Sequence, residues 1–187
     1  MSNFQSVVLV DENDSEIGHM EKIQAHVEGA LHRAFSIFIF DLNGNLLLQK
    51  RAFDKYHSSG LWTNTCCGHP IAKESILKAA QRRLMEEMGM ECPLIFGFKF
   101  TYKSEVGNNL IEHEIDHVFF GISNKNPQPN NEEVAACRSI SLKDLQNEIN
   151  LNPKSFTEWF KMIYEKAFNF HLLEELIKDT KYLMITE

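Results

Sequence analysis

Apolar residues recur along this chain in two rhythms, and each predicts a different kind of element. Residues 35–40, FSIFIF, and 45–49, NLLLQ, are dense apolar runs that read as strands. The DLNG between them carries an Asn-Gly step that favours a tight hairpin. Residues 61–66 form a third strand candidate leading into Gly68. The rhythm then changes: Leu77, Ala80, Leu84 and Met88 recur at helical spacing while Lys78, Arg82 and Glu86 line a polar side. This predicts a helix from Glu74 to Met88, ended by Gly89. Two longer strands follow at about 95–104 and 110–122, joined by EVGNN, with a short strand at 134–140. Ser141 is placed to cap a helix over 142–149, with Asp144 at its third position, and 126–131 reads as a surface loop. From Ser155 to Tyr182 the pattern is helical again and rich in Phe, Trp and Leu. The sum is an α+β fold, a mixed sheet covered by helices. It is expected as one domain over 1–187 with a helical tail from about 155.

Composition narrows the partners. With 187 residues and 43% hydrophobic content, one domain can bury a substantial core. A formal charge of -7 argues against general binding to nucleic acid or anionic membranes, so an anionic ligand needs a local basic cluster. No apolar run approaches the ~18 residues of a membrane span. The start, VVLV then DENDSE, lacks the basic region of a secretory signal. Cys66, Cys67, Cys92 and Cys137 are too unevenly spaced for a disulfide framework and include no CxxC pair. A cytoplasmic location fits, and its reducing conditions would keep a working thiol free.

Several residues have the spacing of metal ligands. Glu112 and Glu114 are two apart in a strand-like segment, so both carboxylates project from one face; Asp116 shares that side, and His113 and His117 point away. Cys67 and His69 have the same spacing. His26 and His32, six apart, do not share a helix face and are expected from a loop and the following strand. Three imidazoles with two carboxylates would suit Mn, Zn or Mg. For any single His the ordinary surface or core role is the better reading, and His19, His57, His113, His117 and His171 are left there. Spacing alone does not gather 26, 32, 69, 112 and 114.

Longer motifs do. Gly68, Glu74, Arg82, Leu84, Glu86, Glu87, Gly89 and Met90 stand at the spacings of the Nudix signature, except that Arg83 replaces a metal-holding Glu of the hydrolases. A cation there favours a bound diphosphate and cannot ligate a metal. The segments AHVEGALHRAF, KRAFDK, WTNTCCGHP, the Nudix-like helix and IEHEIDHVF together resemble type I isopentenyl-diphosphate delta-isomerase, the metal-dependent, non-flavin form, from about Val7 to Trp159. The resemblance implies a Nudix-like mixed sheet sandwiched between helices, and exchange of isopentenyl diphosphate with dimethylallyl diphosphate. It implies one divalent metal (Mn2+, Mg2+ or Zn2+) on His26, His32, His69, Glu112 and Glu114, and a substrate-bridging Mg2+ on Glu87. Cys67, Glu114 and Tyr102 are the implied catalytic residues. Lys22, Arg51, Lys55 and Arg83 would bind the diphosphate, and Trp159 would wall the hydrocarbon pocket. The partner is then a small-molecule diphosphate, with no nucleic acid, membrane or obligate protein partner. Cys66 makes the thiol one of a vicinal pair, of which only one should reach the site.

The chemistry is demanding. An isolated alkene is a poor base, so Glu114, hydrogen-bonded to Tyr102, is expected to protonate one face, leaving a tertiary carbocation that water must not reach. The π face of Trp159 would contribute roughly 0.5–2 kcal/mol. Cys67 would then take a proton from the neighbouring carbon as thiolate, through a lowered pKa or a proton passed on. Two rivals remain: a Nudix hydrolase of a nucleoside diphosphate derivative, which Arg83 disfavours, and an inert binding module on the same scaffold.

Overall fold

A computed structural model describes residues 6–170. In chain order the elements are β1 (Ser6–Val10), β2 (Glu16–Glu21), α1 (Lys22–Glu28), β3 (His32–Phe40), β4 (Leu46–Arg51), β5 (Trp62–Thr63) and β6 (Cys66–Gly68). After these come α2 (Ile76–Met88), β7 (Ile95–Glu105), β8 (Ile111–Ile122), β9 (Val134–Ile140), α3 (Leu142–Leu151), a short 3-10 turn (Pro153–Ser155) and α4 (Glu158–Asn169). The middle of the sheet is β3, which runs parallel to β8 and antiparallel to β1, β4 and β6; β7 pairs with β8, and β9 with β4. Being covered on both sides, β3 is buried along nearly its whole length, as its unbroken apolar run requires.

The two faces of β3 feed two cores. Phe35, Ile37 and Ile39 pack with Cys66, Ala79, Ala80, Leu84 and Met88 under α2. Phe38 and Phe40 pack with Leu46, Leu48, Phe120, Leu145, Trp159 and Phe160 under α3 and α4. The β3–β8 register sets His32 opposite Glu114, the β7–β8 register sets Tyr102 opposite Glu114, and Cys67 pairs with Ser36. Residues far apart in sequence are thereby lined up by backbone hydrogen bonds alone.

Several expectations need correcting. The hairpin β1–β2 and helix α1 carry no sequence signal: β2 is half-exposed, and α1 has only seven residues, opened by Glu21, whose Oε2 accepts from Gln24 N at 2.8 Å. The strand expected at 61–66 is two strands. Between them the Asn64 amide donates to Ile37 O and Cys66 O, and the Thr65 hydroxyl donates to Leu47 O at 2.6 Å, so side chains supplement the one backbone bond that remains there, from Thr65 N to Ile37 O at 3.1 Å. Helix α2 begins at Ile76, capped by Ser75, and Glu74 instead lies ahead of it, accepting from Arg82 Nε at 2.8 Å. Leu77 is exposed, and Ala79 takes its place on the buried face. Gly89 ends the helix at φ 59°, where a Cβ would strike the Gln128 carbonyl. Ser141 caps α3 through Asp144 N at 3.2 Å. Beyond α4 the tail helix expected as far as Tyr182, with His171, lies outside the described residues.

Candidate active site

A cavity of about 820 Å³, its open mouth included, is lined by Lys22, Ser36, Arg51, Lys55, Tyr56, His57, Cys67, His69, Arg83, Glu87, Tyr102, Glu112, Glu114 and Trp159. At its floor, donor atoms of His26, His32, His69, Glu112 and Glu114 all lie within 4.8 Å of one another. His26 comes from the last turn of α1 and not from a loop; His32 opens β3, and His69 follows β6. The Nδ1 of His26 lies 2.6 Å from Lys22 O, and that of His32 lies 2.8 Å from Ala30 O. A carbonyl only accepts, so each Nδ1 carries the proton and each Nε2 presents a lone pair inward.

Those inward atoms lack partners. The Nε2 atoms of His26 and His32 and the Oε2 of Glu112 are buried without a hydrogen bond, although His26 Nε2 and Glu112 Oε2 are 3.2 Å apart. Buried polar atoms rarely stay unsatisfied, and these three converge with two further donors, so the set fits a divalent metal ion. His69 Nε2 donates to Glu114 Oε1 at 2.8 Å, and Tyr102 donates its hydroxyl proton to Glu114 Oε2 at 2.7 Å. Burial raises the pKa of both carboxylates, but the neighbouring His26 and His57 imidazoles hold Glu112 well below the usual range. Glu114 is also lowered, by His32 and His69 against burial and the nearby Glu112. Burial pushes His69 down to about 4 despite the Glu114 bond. Behind this set Asp116 accepts from Ser36 Oγ at 2.7 Å, and burial followed by the Glu114 charge pushes its carboxyl well above the usual range.

Above the floor, Cys67 faces the cavity while Cys66, one residue back, is fully buried under α2. The lowered pKa that a thiolate would require is absent. Burial raises Cys67 to about 12, with Arg51 opposing and Glu87, Glu114 and Asp116 adding to the rise, so the resting sulfur is a thiol. Trp159 is almost completely buried, and the Arg51 guanidinium lies 5.4 Å from its ring centre.

The mouth carries the cations, and two of the four already have carboxylate partners. Lys55 pairs with Glu133 Oε2, and Arg83 reaches Glu86 at 2.8 Å, Glu133 at 3.3 Å and Glu87. Burial lowers the Arg83 pKa, but Glu87 and Glu133 hold it above its ordinary value. Lys22 lies 5.1 Å from the Tyr56 ring centre, and burial lowers its pKa against the pull of Glu112. Glu87 accepts from Arg83 on one oxygen and from Gln49 Nε2 at 3.0 Å on the other. Each oxygen keeps a second lone pair, so this buried carboxylate also fits a hard cation.

Comparison with known proteins agrees. A family model described as NUDIX domain matches residues 30–160. The isopentenyl-diphosphate Delta-isomerase of Pectobacterium atrosepticum is 49% identical over 160 residues, covering 86% of this chain and 89% of that protein. Isopentenyl-diphosphate Delta-isomerase 2 of Photorhabdus laumondii is 54% identical over 157 residues, covering 84% and 89%. The chain belongs to the isopentenyl-diphosphate Delta-isomerase family. Among solved structures, DR0079 from Deinococcus radiodurans superposes with a TM-score of 0.72 at 16% identity, covering 86% of this chain and 98% of that one. The MutT protein of Methanosarcina mazei superposes at 0.60 with 17% identity, covering 74% and 93%. At that identity the likeness is one of fold.

For this member of the isomerase family, the sequence reading missed two cavity residues. Tyr56 lines the cavity, and burial followed by the Glu112 charge raises its pKa. His57, assigned above to the ordinary class, is buried with Nε2 3.0 Å from Glu112 Oε1. Both follow Lys55 directly in KYH, and that adjacency was the one available signal. His19, His113 and His117 do stay outside: they lie against Glu16, Gly29 O and Asp14. Among the described residues no helix is long and apolar enough to cross a membrane.

Proposed function

We propose that this chain interconverts isopentenyl diphosphate and dimethylallyl diphosphate by protonating the alkene at one carbon and removing a proton two carbons away. One observation carries the reading. A thiol, Cys67, and a hydrogen-bonded acid pair, Tyr102–Glu114, open onto one cavity whose mouth holds Lys22, Arg51, Lys55 and Arg83. The four cations would hold the two phosphates, and charge-assisted contacts from the two guanidinium groups would fix the orientation of the hydrocarbon end. Positioning of this kind lowers a barrier by ~7–11 kcal/mol.

With the phosphates held, the alkene would lie between Cys67 and the Tyr102–Glu114 pair. Protonation would convert it to a tertiary cation, and loss of a proton from the neighbouring carbon would place the double bond in its new position. The π electrons of Trp159 would stabilise the cation without offering a nucleophile. In the resting site the sulfur carries a proton and Glu114 does not. Turnover in the forward direction therefore requires the thiol proton to reach the Tyr102–Glu114 pair, which would deliver it to the alkene and leave the sulfur as thiolate to take the proton lost from the neighbouring carbon. A divalent metal on His26, His32, His69, Glu112 and Glu114, whether Mn2+, Mg2+ or Zn2+, would supply positive charge that makes a nearby acid readier to release its proton. Mg2+ carried in by the diphosphate would find a ligand in Glu87. We further infer that the chain acts as one domain, on a small molecule rather than a macromolecule, in a reducing cytoplasm where its four cysteines stay free.

Proton NMR of isopentenyl diphosphate in heavy water tests this in one tube. The expected result is conversion to the dimethylallyl isomer with deuterium incorporation. Release of inorganic phosphate without isomer would sink the reading in favour of hydrolysis, and no change with metal-loaded protein would favour an inert binding module.

A further inference from the structure

We propose that His57 is a positioning residue for the metal centre, locking the Glu112 carboxylate so that its free oxygen faces the three imidazoles. The two oxygens of Glu112 have different surroundings. Oε1 lies 3.0 Å from His57 Nε2, while Oε2 lies 3.2 Å from His26 Nε2 and has no hydrogen bond. A glutamate carboxylate turns freely about its last bond, and either oxygen would otherwise reach an ion. A donor on one oxygen removes that freedom and commits the other oxygen to the cluster.

The donor is itself held. His57 is only 4% exposed, and its Nδ1 lies 3.2 Å from the Ser58 hydroxyl. If Ser58 donates to Nδ1, the proton sits on Nε2 and points at Glu112, which is the tautomer the geometry requires. Tyr56 meets the ring edge-on with centroids 4.4 Å apart, and Trp159 does so at 6.0 Å. The backbone is anchored as well: Arg51 Nη2 donates to His57 O at 3.3 Å, and Asn108 Nδ2 donates to Tyr56 O at 2.9 Å. Ser58 adopts φ 49°, a conformation non-glycine residues hold only where their surroundings impose it. His57 thus joins the metal carboxylate to the aromatic wall, while its own Nε2 is taken up by Glu112 and is not among the convergent donors.

The inference rests on the five-residue metal site, so the test is metal binding without substrate. Protein stripped with a chelator is titrated calorimetrically with Mn2+ and with Zn2+. His57→Ala is expected to weaken binding roughly 10–100-fold, the usual effect of losing a group that orients a ligand. His57→Gln, which keeps an N–H donor, is expected to recover most of that loss. Unchanged affinity in a folded His57→Ala protein overturns the proposal, as does a His57→Gln protein as weak as the alanine variant. Should neither variant fold, pulsed EPR of the wild-type protein loaded with Mn2+ decides: three imidazole nitrogens on the ion are expected, and a fourth overturns it. Failure of the wild-type protein to bind either metal would strike the metal site itself, and so separates the two ideas.

Discussion

The floor and the mouth of the cavity are built on opposite plans. At the floor, donor atoms of four buried residues and the half-buried His69 converge within 4.8 Å, and three of those residues' polar atoms have no hydrogen bond. At the mouth, Lys55 and Arg83 already have carboxylates from Glu86, Glu87 and Glu133. The floor is preformed and incomplete, so an ion adds partners to three atoms and displaces only the hydrogen bond between His69 and Glu114. At the mouth two of the four cations are paired and Arg51 Nε is buried without a hydrogen bond, so an arriving diphosphate must exchange with carboxylates only at Lys55 and Arg83. Desolvation makes the first kind of site strong and selective, whereas exchange keeps the second kind reversible, as release of a charged product demands.

The contrast breaks most sharply if the floor, or Cys67 just above it, can be altered without loss of turnover. Cys67→Ala is expected to lower turnover by about 10²–10⁴-fold, the usual range for one proton-handling group, while inorganic pyrophosphate binds nearly as well. Glu114→Gln is expected to lose turnover to a similar degree and, unlike Cys67→Ala, to lose its metal. Elemental analysis beside the heavy-water NMR assay checks both, and a metal-replete, active Glu114→Gln protein would remove this residue from the chemistry. At the mouth the effect should be smaller and should appear as affinity. Arg83→Ala removes a charged hydrogen-bonding group worth roughly 1.5–3 kcal/mol, so pyrophosphate binding by calorimetry should weaken about 10–150-fold with the metal retained. Metal loss in Arg83→Ala would show that the two ends are not separable.

The floor should also give acid sensitivity. His69 has a folded pKa of about 4 against an ordinary 6.5. A depressed value means the unfolded chain takes the proton first, so the His69 contribution is present above pH 6.5 and is lost as pH falls towards 4. His57 is lowered too and acts in the same direction. His32 is raised, so its contribution has the opposite sign, present below 6.5 and lost as pH rises. The His69 part is isolated by difference: for chelator-stripped protein, Tm should fall from pH 6.5 to 4 more steeply in the wild type than in His69→Asn. Parallel curves would count against a buried, neutral His69.

Most of this arrangement was legible where side chains report on periodicity or motif. The β3 run, the capped α3 and the paired glutamates of β8 all follow from local pattern, as does the cavity-facing side of β6. What stayed hidden was decided by long-range register and by groups with no periodic signal. The seven-residue α1 has a weak glutamate cap and gains its stability from packing, so His26 looked like a loop residue. His57 belongs to a loop whose path is set by Arg51, Asn108 and the β7–β8 turn, none of them near it in pattern. The thiol pKa was equally invisible, because it depends on burial and on carboxylates contributed by α2 and β8.

The smallest expected effect belongs to Cys66, and it tests the finest version of the contrast. Cys66 and Cys67 are adjacent and chemically identical, yet β6 turns them to opposite faces, Cys66 towards Leu84 and Met88 under α2 and Cys67 towards the cavity. Cys66 is fully buried, and burial followed by the Glu87 charge raises its thiol pKa well above the ordinary value, which leaves it inert. Cys66→Ala removes one sulfur atom from a packed core, so the change should be one of stability, about 1 kcal/mol, with turnover within about twofold of wild type. Denaturant melts and the NMR assay on the same preparation separate the two readouts. Inactivation as severe as that of Cys67→Ala would mean that strand alternation does not decide which sulfur meets the alkene. Glu87, which lies in reach of both the Cys66 thiol and Arg83, would then be the route by which a change under α2 enters the cavity.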